Sequence, residues 1–234
     1  DTLHPAKIRR QLAGRQPPAR WIIGGYRNLL PDGSHFDNLP HSDPWKGLVY
    51  RYRIGYTGSN LYQRTLLTEV EGWNEGLPDN TDPDLHFRLL QNGAPYQLMA
   101  DPLSYYHHHP AGTQRVSTGQ PVYGNLRRVR LLRQVNDYLQ SRQDEYWEKE
   151  RAYFYEALLR ALRILATHDL ELATEEYRAA LRNYPGLLQE RAAGILPPVY
   201  RTCYRYFGFR PTEAMRRYLA RSLPRTLLAP LKPK

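Results

Sequence analysis

The sequence predicts an α/β unit over residues 1–119 followed by an all-α unit over residues 120–234. Three observations predict this. Up to Gly119, short extended runs alternate with brief helical patterns, punctuated by glycine and proline. Beyond Pro121, apolar residues recur at three- and four-residue spacing and glycines thin out. The charge divides at the same place: 12 Lys or Arg against 11 acids in residues 1–119, and 21 against 12 in residues 120–234, within a net charge of +10.

The elements of the first unit follow from local grammar. "DTLHPAKIRRQLAG" reads as a helix with Pro5 in its first turn and Gly14 just past its end. "RWIIGGYRNLLPDGSHF" reads as extended segments around the turn "PDG", and "GYTGSNLYQRTLLTEVEGW" as a loop, a strand and a short helix ending at Gly72. In "NTDPDLHFRLLQNG", Asp82 before Pro83 predicts an N-cap and first helical position. Leu85, Leu89 and Leu90 should face the core, Asp84 should pair with Arg88, and Gly93 should close the helix. "YQLMADPLSYYHHHP" reads as two extended pieces broken at Asp101 and Pro102. Strands and helices alternating in this way pack as helices on a sheet.

The second unit predicts about four to six helices, near 122–141, 143–168, 169–184, 186–193, 197–207 and 211–222. Leu158, Leu159, Leu162 and Leu165 form one apolar stripe. Ala173, Tyr177, Ala180 and Pro185 show the small, aromatic, small, proline spacing of a tetratricopeptide repeat's second helix. One copy is too few for a stacked array, so the expectation is a single hairpin within a bundle.

Bulk properties exclude several classes. No run approaches the roughly 18 apolar residues of a membrane span, and no leader pattern is visible. The lone Cys203 has no internal disulfide partner, which suits a reducing compartment. The basic second half suits a solvated surface or contact with phosphate groups. No nucleic-acid motif appears, so nucleic acid is disfavoured as a partner.

The stretch "EVEGWNEGLPDNTDPDLHFRLLQNGAPYQLMADPLSYYHHHP" resembles the second half of the catalytic domain of family 2 glycosyltransferases, inverting enzymes of the GT-A fold. Members show a Gly-Gly-aromatic-Asp-Glu turn, a Glu-Asp-x-Asp-Leu-x-x-Arg helix start, a glycine and strand, then Pro-Leu-x-x-Tyr with basic or histidine residues. Here these features stand as "EGWNEGL", "TDPDLHFRLLQNG" and "DPLSYYHHHP". Thr81 replaces the family's glutamate, and Pro83 follows the aspartate.

The resemblance implies a partial GT-A domain over 1–119 whose nucleotide-binding half lies upstream, and a helical extension over 120–234. It implies Asp1 as the last aspartate of the metal motif. Poor binding of sugar nucleotide by this stretch alone is therefore expected. It implies Asp82 as general base, with Asp84 the alternative. A divalent metal, Mn²⁺ or Mg²⁺, would be held by Asp1 with a histidine, His109 or His107. Ser59 and Asn60 in "GYTGSN", with Trp73 and Arg64, are expected to contact substrate. The implied partners are a nucleotide-sugar donor and a saccharide or lipid-linked acceptor, as in surface polysaccharide synthesis. The implied location is cytoplasmic, with peripheral contact at the inner membrane face through the basic C-terminal stretch "RRYLARSLPRTLLAPLKPK". The rival expectation is a non-catalytic scaffold whose helical half binds a partner, with the first half a degenerate transferase remnant.

Overall fold

The computed structural model describes residues 1–109 and 121–222. The chain divides into two compact units, Asp1–Gly119 and Gln120–Lys234. The first is mixed α/β and the second is helical.

The first unit runs β1 (Thr2–Leu3), α1 (Lys7–Ala13), β2 (Trp21–Gly24), β3 (Tyr26–Leu29), β4 (His35–Asn38), α2 (Pro44–Val49), β5 (Leu61–Tyr62), α3 (Arg64–Glu69), α4 (Thr81–Gln91), β6 (Tyr96–Met99) and β7 (Ser104–His107). These strands form two small mixed sheets, one ordered β1-β7-β3-β4 and the other β5-β2-β6. Strand β2 is Trp-Ile-Ile-Gly and wholly buried, as suits a central strand covered on both faces. It pairs in parallel with β6, and β3 pairs in parallel with β7. Two extended segments, 21–29 and 96–107, thus travel side by side through both sheets and break together. The first breaks at Gly24 and Gly25, the second at Asp101 and Pro102.

The glycine pair is a steric requirement. A Cβ on Gly24 would stand 2.1 Å from the Ser59 carbonyl oxygen, and one on Gly25 2.9 Å from that of Ala100. The backbone at the crossover is therefore in direct contact with the loop that precedes β5. The core around it consists of Trp21, Ile22, Ile23, Leu48, Ile54, Leu66, Leu85 and Leu89.

The second unit contains α5 (Pro121–Arg142), α6 (Glu145–His168), α7 (Leu170–Asn183), α8 (Pro198–Phe207) and α9 (Phe209–Ser222). The leucine stripe of α6 is fully buried, as are Ala173 and Ala180 of α7. Asp169 serves both α6 and α7. Its N–H donates to the Leu165 carbonyl (2.8 Å), and its carboxylate accepts from the Leu172 N–H (3.0 Å). The expected helix at 186–193 does not form: turns over residues 185–189 bury Leu187 and Leu188, and no helix follows before Pro198. Glycines at 186 and 194, the second left-handed at φ 84°, and prolines at 185, 197 and 198 confine the segment to turns. No helix among the described residues is long and apolar enough to cross a membrane.

The crossover makes a prediction. Gly24→Ala drives a methyl into backbone and is expected to cost at least about 1–3 kcal/mol. Chemical denaturation checks this; a loss below about 0.5 kcal/mol would show that the crossover tolerates a side chain.

Candidate functional site

Helix α4 begins with Asn80, in the left-handed region at φ 57°, as its N-cap. Asp82 therefore lies inside the first turn, and the expected Asp82 cap with Pro83 at the first position is corrected. Its carboxylate is directed away from its own helix ends. Oδ2 accepts the Thr57 N–H at 2.9 Å, and Oδ1 accepts the Trp73 indole N–H at 3.1 Å and the Thr57 hydroxyl. Three donors from two loops hold the half-buried side chain in one orientation.

Each loop is itself fixed from behind. Trp73 follows Glu71 and Gly72, consecutive left-handed residues at φ 61° and 64°. Arg88, paired with Asp84 at 2.8 Å, donates to the carbonyls of Val70 and Gly72 and so clamps that turn. Asp84 thus supports the clamp through its Oδ2. Thr57 sits in the loop 54–60. There the Asn60 amide accepts from the Gly24 N–H (2.9 Å) and donates to the Ile54 carbonyl (3.1 Å). The Ser59 hydroxyl accepts from the Tyr56 N–H and donates to the Tyr56 carbonyl, both at 3.0 Å. From α1, Lys7 donates to the Asn60 carbonyl (3.2 Å) and Gln11 to that of Ser59 (2.9 Å). Lys7 is buried against these neutral partners, and burial pushes its ammonium down to about 8. Ser59 and Asn60, expected to meet substrate, are buried and spent on holding the loop. Trp73 is drawn into the cluster as a donor to Asp82, whereas Arg64 is exposed at the start of α3.

One turn along α4 from Asp82 lies His86, fully buried. Its ring stacks on Trp21, with centroids 5.2 Å apart. Nδ1 is 2.8 Å from the Tyr52 hydroxyl, and Nε2 is 2.7 Å from that of Tyr62 and 3.2 Å from the Asn60 amide nitrogen. An amide nitrogen only donates, so Nε2 is the acceptor and Nδ1 carries the proton toward Tyr52. Tyr62 then accepts from Asn60 (3.1 Å) and donates to Nε2. Burial pushes the imidazole down to about 4, against the pull of the Asp82 charge. Burial, with Asp82 adding, likewise holds the Tyr62 phenol above its ordinary range. Asp82 is thus backed by a polar but neutral group.

The chemical capacity of the cluster follows from lone pairs. An ionised carboxylate offers about four acceptor positions; Asp82 has three filled, two on Oδ1 and one on Oδ2. One acceptor position on Oδ2 is left without a hydrogen bond among the described residues. Among the described residues, four of the five non-glycine residues in the left-handed region, Arg51, Tyr52, Glu71 and Asn80, lie in the loops that deliver Tyr52, Trp73 and Asp82. Such conformations cost about 1–3 kcal/mol each and gather at functional sites.

The histidine run divides. His107 ends β7 beside β1: its N–H reaches the Asp1 carboxylate (3.4 Å), and its Nε2 is 3.0 Å from the Thr2 hydroxyl. His108 bonds Asn28 through Nε2 (2.8 Å), and His109 is exposed. Asp1 and His107 are neighbours, but no group of three His, Cys, Asp or Glu side chains able to hold a metal occurs among the described residues. The expected set of Asp1, His107 and His109 is not assembled here. A cavity of about 370 Å³ lies elsewhere, bordered by Phe36 to Leu39, Arg51 and Arg53, and Asp82 does not line it.

No family model, curated protein or solved structure matches this chain.

His86 and Tyr62 were both legible in principle: His86 lies four residues after Asp82 in a helix, and Tyr62 is in a predicted strand. Thr57 and Tyr52 carry no such signal, because only loop geometry brings them in.

Neutral burial of His86 fixes a pH dependence. The unfolded imidazole takes up its proton near pH 6.5 while the folded one does so only near 4. Stability is therefore lost as pH falls through that window, by on the order of 3 kcal/mol. Thermal melts from pH 7 to 4 should show a steeper fall for the wild type than for His86→Gln; parallel curves would show that the imidazole is not held neutral.

Proposed function

We propose that residues 1–119 form the acceptor-side part of an inverting GT-A glycosyltransferase in which Asp82 is the general base. The carrying observation is the Asp82 carboxylate, oriented by Thr57 and Trp73 with one acceptor position left on Oδ2. The family-like order of "EGWNEGL", "TDPDLHFRLLQNG" and "DPLSYYHHHP" supports the same reading. So does the concentration of left-handed residues in the loops around the carboxylate.

In this mechanism an acceptor hydroxyl donates to Oδ2, and its proton passes to Asp82 as the oxygen attacks the anomeric carbon of the donor. The bond from that carbon to the nucleoside diphosphate breaks on the opposite face, inverting the centre. The leaving group departs as an anion and needs no proton. Thr57 and Trp73 keep the carboxylate aimed during transfer, so little reorganisation is required. The donor nucleotide and Mn²⁺ or Mg²⁺ belong to this proposal through the resemblance alone, and no step here runs through the metal.

Transfer is to be assayed on protein expressed from the complete open reading frame, with a panel of nucleotide sugars. Asp82→Asn should reduce transfer about a hundredfold or more while preserving the fold. Thr57→Val, which removes one donor and keeps the carboxylate, should give an intermediate loss. An Asp82→Asn protein within about threefold of wild type rejects Asp82 as base.

For the second unit we propose peripheral contact with an anionic lipid surface. The supporting observation is on α8 and α9, where Val199, Tyr206, Phe207, Met215 and Tyr218 are each more than half exposed beside the exposed Arg205 and Arg221. Large aromatics with arginines suit the boundary between headgroups and acyl chains. The rest of the basic stretch, residues 223–234, lies outside the described residues. Cosedimentation should show binding to phosphatidylglycerol vesicles that salt weakens and that Tyr206→Ser with Phe207→Ser reduces severalfold. Equal recovery with phosphatidylcholine vesicles would remove the proposal.

A further inference from the structure

The cavity of about 370 Å³ falls within the roughly 300–1,000 Å³ of small-ligand sites and is lined by Phe36, Asp37, Asn38, Leu39, Arg51 and Arg53. Its one acid is already engaged: Asp37 takes both N–H groups of Arg27, at 2.7 and 3.0 Å. Its two arginines have no carboxylate partner among the described residues. Arg51 lies with its guanidinium carbon 5.3 Å from the centre of the Tyr50 ring. Arg53 spends only its Nε, on the Leu39 carbonyl at 2.9 Å, so both terminal nitrogens remain. Phe36 and Leu39 add an apolar wall, 51% and 37% exposed. Asn38 donates to the Tyr26 hydroxyl at 2.6 Å, which leaves its carbonyl oxygen to accept.

Two guanidinium forks facing one small cavity match a carboxylate or phosphate. An exposed aromatic ring and a free amide oxygen suit the carbon face and hydroxyls of a sugar. We propose that this cavity binds an anionic sugar, its acid group across Arg51 and Arg53 and its ring against Phe36. The choice of a sugar rests on the transferase reading, which the cavity extends to an acidic substrate. The turn that presents Arg51 at φ 56° also places Tyr52 at φ 50°, and the Tyr52 hydroxyl reaches His86 at 2.8 Å, one turn of α4 from Asp82. Occupancy of the cavity is thus in covalent continuity with the support of the proposed base.

Calorimetric titration of the whole chain with four probes tests this: methyl β-glucuronide, glucose 6-phosphate, methyl β-glucoside and inorganic phosphate. The expected result is that the glucuronide or the sugar phosphate binds about tenfold or more tighter than both the neutral glucoside and inorganic phosphate. The better of the two identifies the acid group. Arg51→Gln and Arg53→Gln should each weaken it about tenfold, and Phe36→Ala severalfold. Arg9→Gln, exposed on α1, should leave it unchanged. Arg53→Lys, which keeps the charge without the fork, guards against loss through misfolding: it should retain circular dichroism and bind between wild type and Arg53→Gln. Equal binding of the neutral glucoside, equal binding of inorganic phosphate, indifference to both arginine substitutions, or no binding of any probe overturns the proposal. Because binding is read without transfer, an inactive protein that binds glucuronide counts only against the transferase reading. An active one that binds no anionic sugar counts only against this cavity.

Discussion

The first unit depends on an imidazole that has no room to be charged. His86 is enclosed by Trp21, Tyr52, Tyr62 and Asn60, residues from a central strand, the loop between α2 and β5, and an edge strand. A neutral imidazole has one donor and one acceptor, and each must find a partner when buried. The direction of the whole network follows from that arithmetic. Asn60 donates to Tyr62, Tyr62 donates to Nε2, and Nδ1 donates to Tyr52. Displacing any one element would strand a buried polar atom, a cost of about 1–3 kcal/mol. Asn60 also binds the Gly24 N–H, so the network is tied to the crossover between the sheets.

Two Asp-Pro pairs show what local sequence does and does not determine. At Asp43-Pro44 the N-cap rule holds: the Asp43 carboxylate accepts from the N–H groups of Trp45 and Lys46 and starts α2, a helix the sequence reading passed over. At Asp82-Pro83 the same grammar predicts the same cap, yet α4 starts earlier and Asp82 turns to Thr57 and Trp73. The difference is tertiary. At Asp82 two loops bring competing donors, and three donors outweigh the two amides a cap would supply. Core positions were legible because they need only periodicity: Leu85, Leu89 and Leu90 are buried, and Gly93 is left-handed at φ 65°. The Asp84–Arg88 pair was legible too, through its four-residue spacing. That Arg88 uses its remaining N–H groups on Val70 and Gly72 was not, since it depends on where α3 ends.

Two of the expected substrate contacts, Ser59 and Asn60, are buried for a related reason. Ser59 and Asn60 have small polar side chains beside glycines, a composition that serves ligand contact and tight-loop closure equally well. Burial decides between them, and burial is a property of the neighbours. Gln11 and Lys7 of α1 cover the loop from one side and Gly24 from another. A loop closed this tightly hides Ser59 and Asn60 and becomes a rigid mount for Thr57. The residues that looked like contacts are the frame of the residue that orients Asp82.

A carboxylate mounted in this way differs from one held by a helix end. At an N-cap, the donors that orient a carboxylate are fixed by the helix, and its open side is set by the helix axis. Asp82 instead takes its donors from two loops, and each loop is anchored by a separate group: the half-buried Arg88 behind Trp73, and the buried Asn60 behind Thr57. The open Oδ2 position is therefore defined by the spacing between loops, and that spacing is set in turn by the packing of α4 against Trp21 through His86. A change at His86 would move the acceptor position without touching Asp82. The neutrality of His86 serves the same end, because a charged imidazole one turn away would compete with an incoming hydroxyl for the field of the carboxylate.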